Sequence, residues 1–135
     1  MGAPYANHEP CPMTLPRRLT LILLALIAAA LALFACYTWA ALHLSYSDGE
    51  RAGFLQKFSR KGWICKTWEG EILLSSMPGA IPERFAFSVR DDLVARQLMA
   101  AMGKRVQLTY AQHKGVPGAC FGETEYFVEQ VSISN

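Results

Sequence analysis

The sequence predicts a mainly β protein with one helix, in which a small barrel follows a transmembrane segment. The run from Leu19 to Leu42 carries no charge. As a helix it would span roughly 36 Å, more than the hydrocarbon core of a bilayer requires. Beyond it, short alternating segments typical of strands surround one segment of helical spacing. We therefore expect a disordered leader at 1–18, a transmembrane signal-anchor helix at 19–44 and a soluble domain at 45–135.

The charges that flank the span predict its orientation. Arg17 and Arg18 precede it, whereas the first base after it is Arg51. The positive-inside rule therefore favours a cytoplasmic N-terminus and a domain outside the cytoplasm. Two alternatives stay open, a cleaved signal peptide and a lipoprotein that is cleaved and lipidated at Cys36. The apolar run is longer than a typical secretory h-region, which favours an uncleaved anchor.

The soluble domain divides into five strands and one helix. Strands are expected at 51–60, 63–74, 84–90, 105–110 and 126–133, and a helix of about three turns is expected to open at Asp91 and to end before Gly103. In the third strand Phe85, Phe87 and Val89 share one face. The apolar positions of the helix are Leu93, Val94, Leu98, Ala101 and Met102. Gly70 interrupts the second strand and indicates a bulge or a bend there.

The order β-β-β-α-β-β is that of the five-stranded oligonucleotide/oligosaccharide-binding (OB) barrel. An open antiparallel sheet with the helix packed on one face is compatible with the same elements. The two folds differ in whether the first strand also pairs with the last elements and closes the barrel.

Three runs carry a resemblance to a known family: YSDGERAG at 46–53, LQKFSRKG at 55–62 and CKTWEGE at 65–71. They resemble a family of small single-span bacterial membrane proteins of unknown function, some of which are labelled 6-phosphogluconate dehydrogenase. The resemblance implies a small bacterial membrane protein and implies no activity. With the orientation that the flanking charges favour, we expect an inner-membrane protein with a periplasmic domain. The label does not fit this chain, which has no G-x-G-x-x-G motif and too few residues for a dinucleotide-binding domain plus a substrate domain.

Composition argues against nucleic acid as a partner. Between residues 45 and 135, eleven Lys and Arg residues stand against ten Asp and Glu residues. Nucleic-acid binding needs a basic excess on the binding domain. A cytoplasmic OB-type nucleic-acid binder stays open only if the orientation is the reverse of the one expected.

Two cysteines of the domain, Cys65 and Cys120, are candidates for a disulfide in an oxidising compartment. The bridge would tie the second strand to the loop between the fourth and fifth strands. It would stabilise the fold by roughly 4 kcal/mol in the chain-entropy model. Two free buried thiols are the alternative.

Candidate catalytic and metal-binding residues are few. His113 and Cys120 share one loop and could form a nucleophile pair, but a lone histidine in a polar loop is more often a solvated side chain. The cysteines and histidines show no metal-ligand spacing. Haem chaperones share this architecture, but their haem attachment uses a Tyr four residues after the His, and Pro117 stands there. We expect no enzyme, no metal and no cofactor.

A binding surface is expected at the mouth of the barrel, with Trp63, Lys66, Trp68 and His113 as its candidate residues. Four bases close to the span in sequence, Arg51, Lys57, Arg60 and Lys61, are either solvated or contact anionic lipid headgroups or a neighbouring membrane subunit. The predicted function is that of an anchored extracytoplasmic binding module, an accessory or assembly subunit with a membrane or envelope protein as partner. A small membrane-bound enzyme is the alternative.

Overall fold

The computed structural model describes Gly2, residues 16–74 and residues 78–134. The leader expected at 1–18 lies outside the described residues except for Gly2 and 16–18. The chain divides into two compact units, Met1–Ala35 and Cys36–Asn135. The second unit contains the last turns of the N-terminal helix and all the strands.

The N-terminal helix, α1, runs Arg17–His43. Its 27 residues extend about 40 Å. From Leu19 to Leu42 it carries no charged residue, and none of its residues is buried. Within the described ranges, α1 is the one helix long and apolar enough to cross a membrane, judged by length and composition.

The remaining elements form a barrel in the order predicted. The strands are β1 Ser47–Lys61, β2 Thr67–Leu74, β3 Arg84–Val89, β4 Arg105–Gln112 and β5 Tyr126–Ile133, with the helix α2 Asp92–Ala100 between β3 and β4. The sheet closes in the order β1-β2-β3-β5-β4. The first half of β1 pairs with β4 and the second half with β2, while β3 and β5 pair in parallel. The OB-like prediction is confirmed, and the open antiparallel sheet is wrong.

The length of β1 explains how one strand can close the barrel. It begins at Ser47, four residues before the predicted start, because Ser47–Phe54 pairs with β4. Its register shifts between Leu55 and Lys57, where it passes from one neighbour to the other. A bulge at such a point sharpens the bend of the strand.

Of the two features predicted at Gly70, a bulge or a bend, the bulge is wrong, since β2 keeps its register there with both neighbours. A Cβ at Gly70 would lie 2.9 Å from Cδ2 of Phe58 and closer still to Phe87. The absence of a side chain at Gly70 thus leaves room for two aromatic rings in the core.

The core lies inside the barrel and under α2. Phe85, Phe87 and Val89 are buried on one face of β3, as the alternation predicts. Asp91 caps α2 by accepting a hydrogen bond from the Leu93 amide at 2.7 Å. The helix buries Val94, Ala95, Leu98 and Ala101 against the barrel. Leu93 and Met102, two of the expected apolar positions, are exposed: Leu93 lies in the first turn of α2, and Met102 lies beyond its C-cap.

Candidate functional site

The β1–β2 loop (residues 62–66) and the β4–β5 loop (residues 113–125) form the mouth of the barrel. In OB barrels these two loops flank the outer face of β2 and β3, where ligands bind. Here Cys65 and Cys120 form a disulfide between them, with Cα atoms 4.9 Å apart. That separation is within the range of protein disulfides. Cys65 lies in the loop rather than in β2, so the bond joins loop to loop.

The tip of the β1–β2 loop presents two large apolar side chains to solvent. Trp63 is 101% exposed and Ile64 is 97% exposed. Gly62 precedes them with a φ of +128°, and a Cβ there would lie 2.8 Å from the carbonyl carbon of Cys65. The tip is therefore a tight turn, fixed by a glycine on one side and by the disulfide on the other.

A cavity of about 240 Å³ lies beside the disulfide. We call it the mouth cleft; its lining is Arg60, Lys66, Thr67, Trp68, Val89, Arg90, Asp92, Cys120 and Phe121. Trp68 stacks on Phe58 with ring centroids 5.4 Å apart and donates a hydrogen bond from Nε1 to Asp92 Oδ1 at 3.1 Å. The guanidinium of Arg60 lies 5.6 Å from the Trp68 ring. Three bases and one acid thus surround a fixed aromatic ring.

The outer face of β2 and β3 carries a buried carboxylate that the sequence did not reveal. Glu69 is 5% exposed and accepts hydrogen bonds from the Ser88 hydroxyl at 2.6 Å and from the Glu123 amide at 3.0 Å. The Ser88 hydroxyl in turn accepts a bond from the Thr124 amide at 3.1 Å. The end of the β4–β5 loop is therefore bonded down onto the face that OB proteins use for ligands.

A glycine lets this loop approach the sheet so closely. An ideal Cβ at Gly122 would lie 2.8 Å from the Ser88 side chain and 2.7 Å from the Phe127 ring. Gly122 is a sequence signal of close backbone approach, although it does not identify the partner. Because Glu69 is charged and lies at an outward position of β2, the sequence alone suggests a solvated residue.

His113 is buried, so its predicted solvated state is wrong. It is 6% exposed, and its Nδ1 lies 3.1 Å from the carbonyl oxygen of Ala41 and 3.2 Å from that of Leu44. The Tyr37 hydroxyl donates to the Gly115 carbonyl at 2.8 Å. These bonds attach the start of the β4–β5 loop to the last turns of α1. The contact partners are 69 to 78 residues away in sequence, too far for local reasoning to find them.

The structure groups three of the four candidate binding residues and separates the fourth. Lys66 and Trp68 line the mouth cleft, and Trp63 lies on the adjoining tip. His113 instead lines a larger open cavity of about 750 Å³ near the end of α1. Arg90 is the residue that lines both.

The four bases expected near the membrane do not form one patch. Arg51 donates a hydrogen bond to Tyr110, which raises the pKa of the Arg51 guanidinium despite partial desolvation. The guanidinium also lies 4.6 Å from the centre of the Phe85 ring and 3.5 Å from a carboxylate oxygen of Glu83. Arg60 lies at the mouth cleft. Lys57 and Lys61 line a third cavity beside Glu69, and Lys61 pairs with Glu123 at 3.5 Å.

In the part of the chain that the structure describes, no group of three or more His, Cys, Asp or Glu side chains is arranged to hold a metal ion. Cys120, one half of the candidate nucleophile pair, is in the disulfide. His113, the other half, has its ring nitrogen bonded to main-chain carbonyls. Both residues thus have structural partners.

The closed barrel and its two-loop mouth define an OB-like protein with an N-terminal apolar helix. The chain belongs to the family described as "Domain of unknown function (DUF8785)", whose model matches residues 45–135. A search of curated proteins found no match.

Two solved structures are similar in fold, both of the mitochondrial single-stranded DNA binding protein Rim1 from S. cerevisiae. A selenomethionine form has a TM-score of 0.52 at 8% identity, and it covers 67% of this chain and 95% of the other. A second form has a TM-score of 0.49 at 9% identity with the same coverage. At this identity the first of these shows the shared fold alone.

The disulfide predicts a response to reductant. Reduction should lower the thermal midpoint of unfolding of the full chain in mild detergent. The reduced unfolded chain regains the conformational entropy that the crosslink removes, which corresponds to about 4 kcal/mol of stability. Cys65→Ser should melt at the midpoint of the reduced wild type and should not respond to reductant. Cys36→Ser, which alters the free cysteine of α1, should behave as wild type. Equal midpoints with and without reductant in the wild type would contradict the bond.

The Glu69 network predicts a local loss of protection. Glu69→Ala should destabilise the domain by about 1–3 kcal/mol, because it leaves the Glu123 amide unpaired and removes the acceptor of the Ser88 hydroxyl proton. Hydrogen exchange at residues 122–124 should accelerate. Glu71→Ala is the matched control on the same face, since its ion pair to Arg84 is long, at 3.9 Å, and partly exposed. Equal exchange in the two variants would contradict the role of Glu69.

Proposed function

We propose that this protein is a membrane-anchored, extracytoplasmic binding module, an accessory or assembly subunit that holds a membrane or envelope protein at the mouth of its barrel. The observation that carries the proposal is the disulfide between the two mouth loops in a domain that directly follows a membrane-length helix. The bond keeps a cleft and an apolar tip in a fixed relation, and a preorganised surface of this kind favours binding.

Two independent features support the compartment. Arg17 and Arg18 before α1 favour a cytoplasmic N-terminus and therefore a domain on the opposite side. A structural disulfide persists in oxidising compartments such as the bacterial periplasm and is rare in the cytosol. Charge and redox chemistry thus favour the same orientation, that of a single-pass protein of the bacterial inner membrane with a periplasmic barrel.

Binding is proposed rather than catalysis because the side chains that could act as a nucleophile, acid or base already have structural partners. The sulfur of Cys120 is in the disulfide, and the His113 ring is hydrogen-bonded to the end of α1. The carboxylate of Glu69 accepts two hydrogen bonds from the β3 side chain and the loop that cover it. A small membrane-bound enzyme would need other groups.

A protein partner fits the mouth better than nucleic acid does. On the outer face of β2 and β3, the β4–β5 loop is bonded over Glu69, and the cavity there is lined by Glu71 and Glu123 as well as by Lys57 and Lys61, so it has no basic excess. A nucleic-acid face of an OB barrel is instead basic with exposed aromatic rings. Rim1 is described as a single-stranded DNA binding protein, but at 8% identity that description does not carry over to this chain.

The mouth cleft suggests the chemistry of the partner. Arg60, Lys66 and Arg90 surround it with Asp92 as its acid, so it complements an acidic segment. Arg90 is exposed at the end of β3 and reaches two cavities. Arginine is also among the residues that dominate binding energy at interfaces.

Reversing one charge tests the proposal. The full chain, purified in mild detergent from cells that produce it naturally, should retain a specific membrane or envelope protein after crosslinking. Arg90→Glu should reduce the recovery of that protein about tenfold or more, since losing a close charge pair costs 2–5 kcal/mol. Arg84→Glu at the opposite end of β3 should retain it. Equal recovery with both variants, or no enriched protein with the wild type, would contradict the proposal.

A further inference from the structure

The tip of the β1–β2 loop lies outside every described cavity. Trp63 and Ile64 are adjacent, almost completely exposed and absent from the lining of the mouth cleft. A scattered exposed apolar residue is ordinary, but two together at a tight turn form a convex apolar projection. Such a projection suits a fluid surface, such as the headgroup layer of a bilayer, that can rearrange around it.

The tip cannot easily fold back to hide these side chains. Gly62 has a positive φ, and the carbonyl of Cys65 occupies the space that a side chain at Gly62 would need. The disulfide from Cys65 to Cys120 holds the other side of the turn. The projection is thus fixed by backbone and covalent constraints.

The charge around the tip is basic. Arg60, Lys61 and Lys66 lie within residues 60–66, a stretch without an acidic residue. Lys61 is partly neutralised by Glu123 at 3.5 Å. A tryptophan and an isoleucine between basic residues have the composition of an interfacial membrane contact, in which the apolar groups enter the headgroup layer and the bases face anionic phosphates.

The chain itself brings this tip near a bilayer. The β4–β5 loop contacts the last turns of α1 through Tyr37, Ala41 and Leu44. The exposed aromatic residues Tyr37 and Trp39 suit the membrane–water interface. From Gly115 to Cys120 the chain can extend at most about 18 Å, and the disulfide adds a Cα separation of 4.9 Å. Cys65, next to the tip, therefore lies at most about 23 Å from Gly115, which contacts the end of α1.

We propose that Trp63 and Ile64 insert into the boundary between headgroups and acyl chains of the bilayer that α1 spans, and that Arg60 and Lys66 strengthen the contact through anionic lipid phosphates. The proposal rests on the membrane anchor of the proposed function and adds a second membrane contact. This contact would orient the barrel and direct the mouth cleft along the membrane surface. It requires no protein partner.

The test uses the full chain reconstituted into phosphatidylcholine vesicles with and without phosphatidylglycerol. Emission of Trp63 is obtained as the difference between the wild type and Trp63→Phe, which removes the contributions of Trp39 and Trp68. We expect this emission to be blue-shifted and quenched at least about twofold by lipids brominated near the headgroup. Quenching should be stronger with phosphatidylglycerol and should lose that increase in Arg60→Gln/Lys66→Gln.

Trp63→Phe/Ile81→Trp is the matched control, because Ile81 is 91% exposed on the loop at the other end of β2. Its new tryptophan should emit as a water-exposed group that bromolipids do not quench. The same behaviour at Trp63 would overturn the proposal and leave the tip to a protein partner. Flotation after alkaline carbonate separates the two claims: protein that fails to float contradicts the anchor, whereas floated protein with a water-exposed Trp63 contradicts insertion alone.

Discussion

The bond between Cys65 and Cys120 joins two loops whose cysteines are 55 residues apart in sequence. One loop carries the apolar tip at Trp63 and Ile64. The other begins at His113, against the end of α1, and near its end Thr124 lies against the outer face of β3. Because one covalent bond links these loops, the tip, the mouth cleft and the covered sheet face share a single rigid frame. Without this bond, the shape of the cleft would depend on two loops that bury few side chains of their own.

The sequence was sufficient for the elements that follow from local periodicity. Alternation at Phe85, Phe87 and Val89 predicted β3, and the Asp91 cap predicted the start of α2. The strand order followed from the placement of that helix between the third and fourth strands. The bulge lies in β1 between Leu55 and Lys57 and not at Gly70. A glycine in a strand serves either a bulge or a close packing contact, and the sequence does not distinguish the two. At Gly70 it serves the packing of Phe58 and Phe87.

The candidate site was predictable only in part. The residue types and the expected compartment made the disulfide one of two alternatives and made Trp63 a candidate binding residue of the mouth. The burial of Glu69 and of His113 depends on where the β4–β5 loop folds, and no local pattern encodes that path. Glu69 lies at an outward position of β2, where a carboxylate is normally solvated, yet the loop supplies it with a main-chain donor. A charged residue becomes buried in this way only through tertiary contacts.

The fold by itself does not define a ligand, since OB barrels support many functions on one framework. In this chain the end of the β4–β5 loop is bonded onto the usual ligand face at Glu69, and the mouth loops present a basic cleft and an apolar tip. In the proposed function, these features lie outside the cytoplasm in a disulfide-bonded state. Cysteine labelling of the full chain in intact cells, in a Cys11→Ser/Cys36→Ser background with a membrane-impermeant maleimide, tests it most directly. We expect labelling of Cys65 and Cys120 only after an impermeant reductant is added, and without permeabilisation. Labelling that requires permeabilisation but no reductant would contradict it.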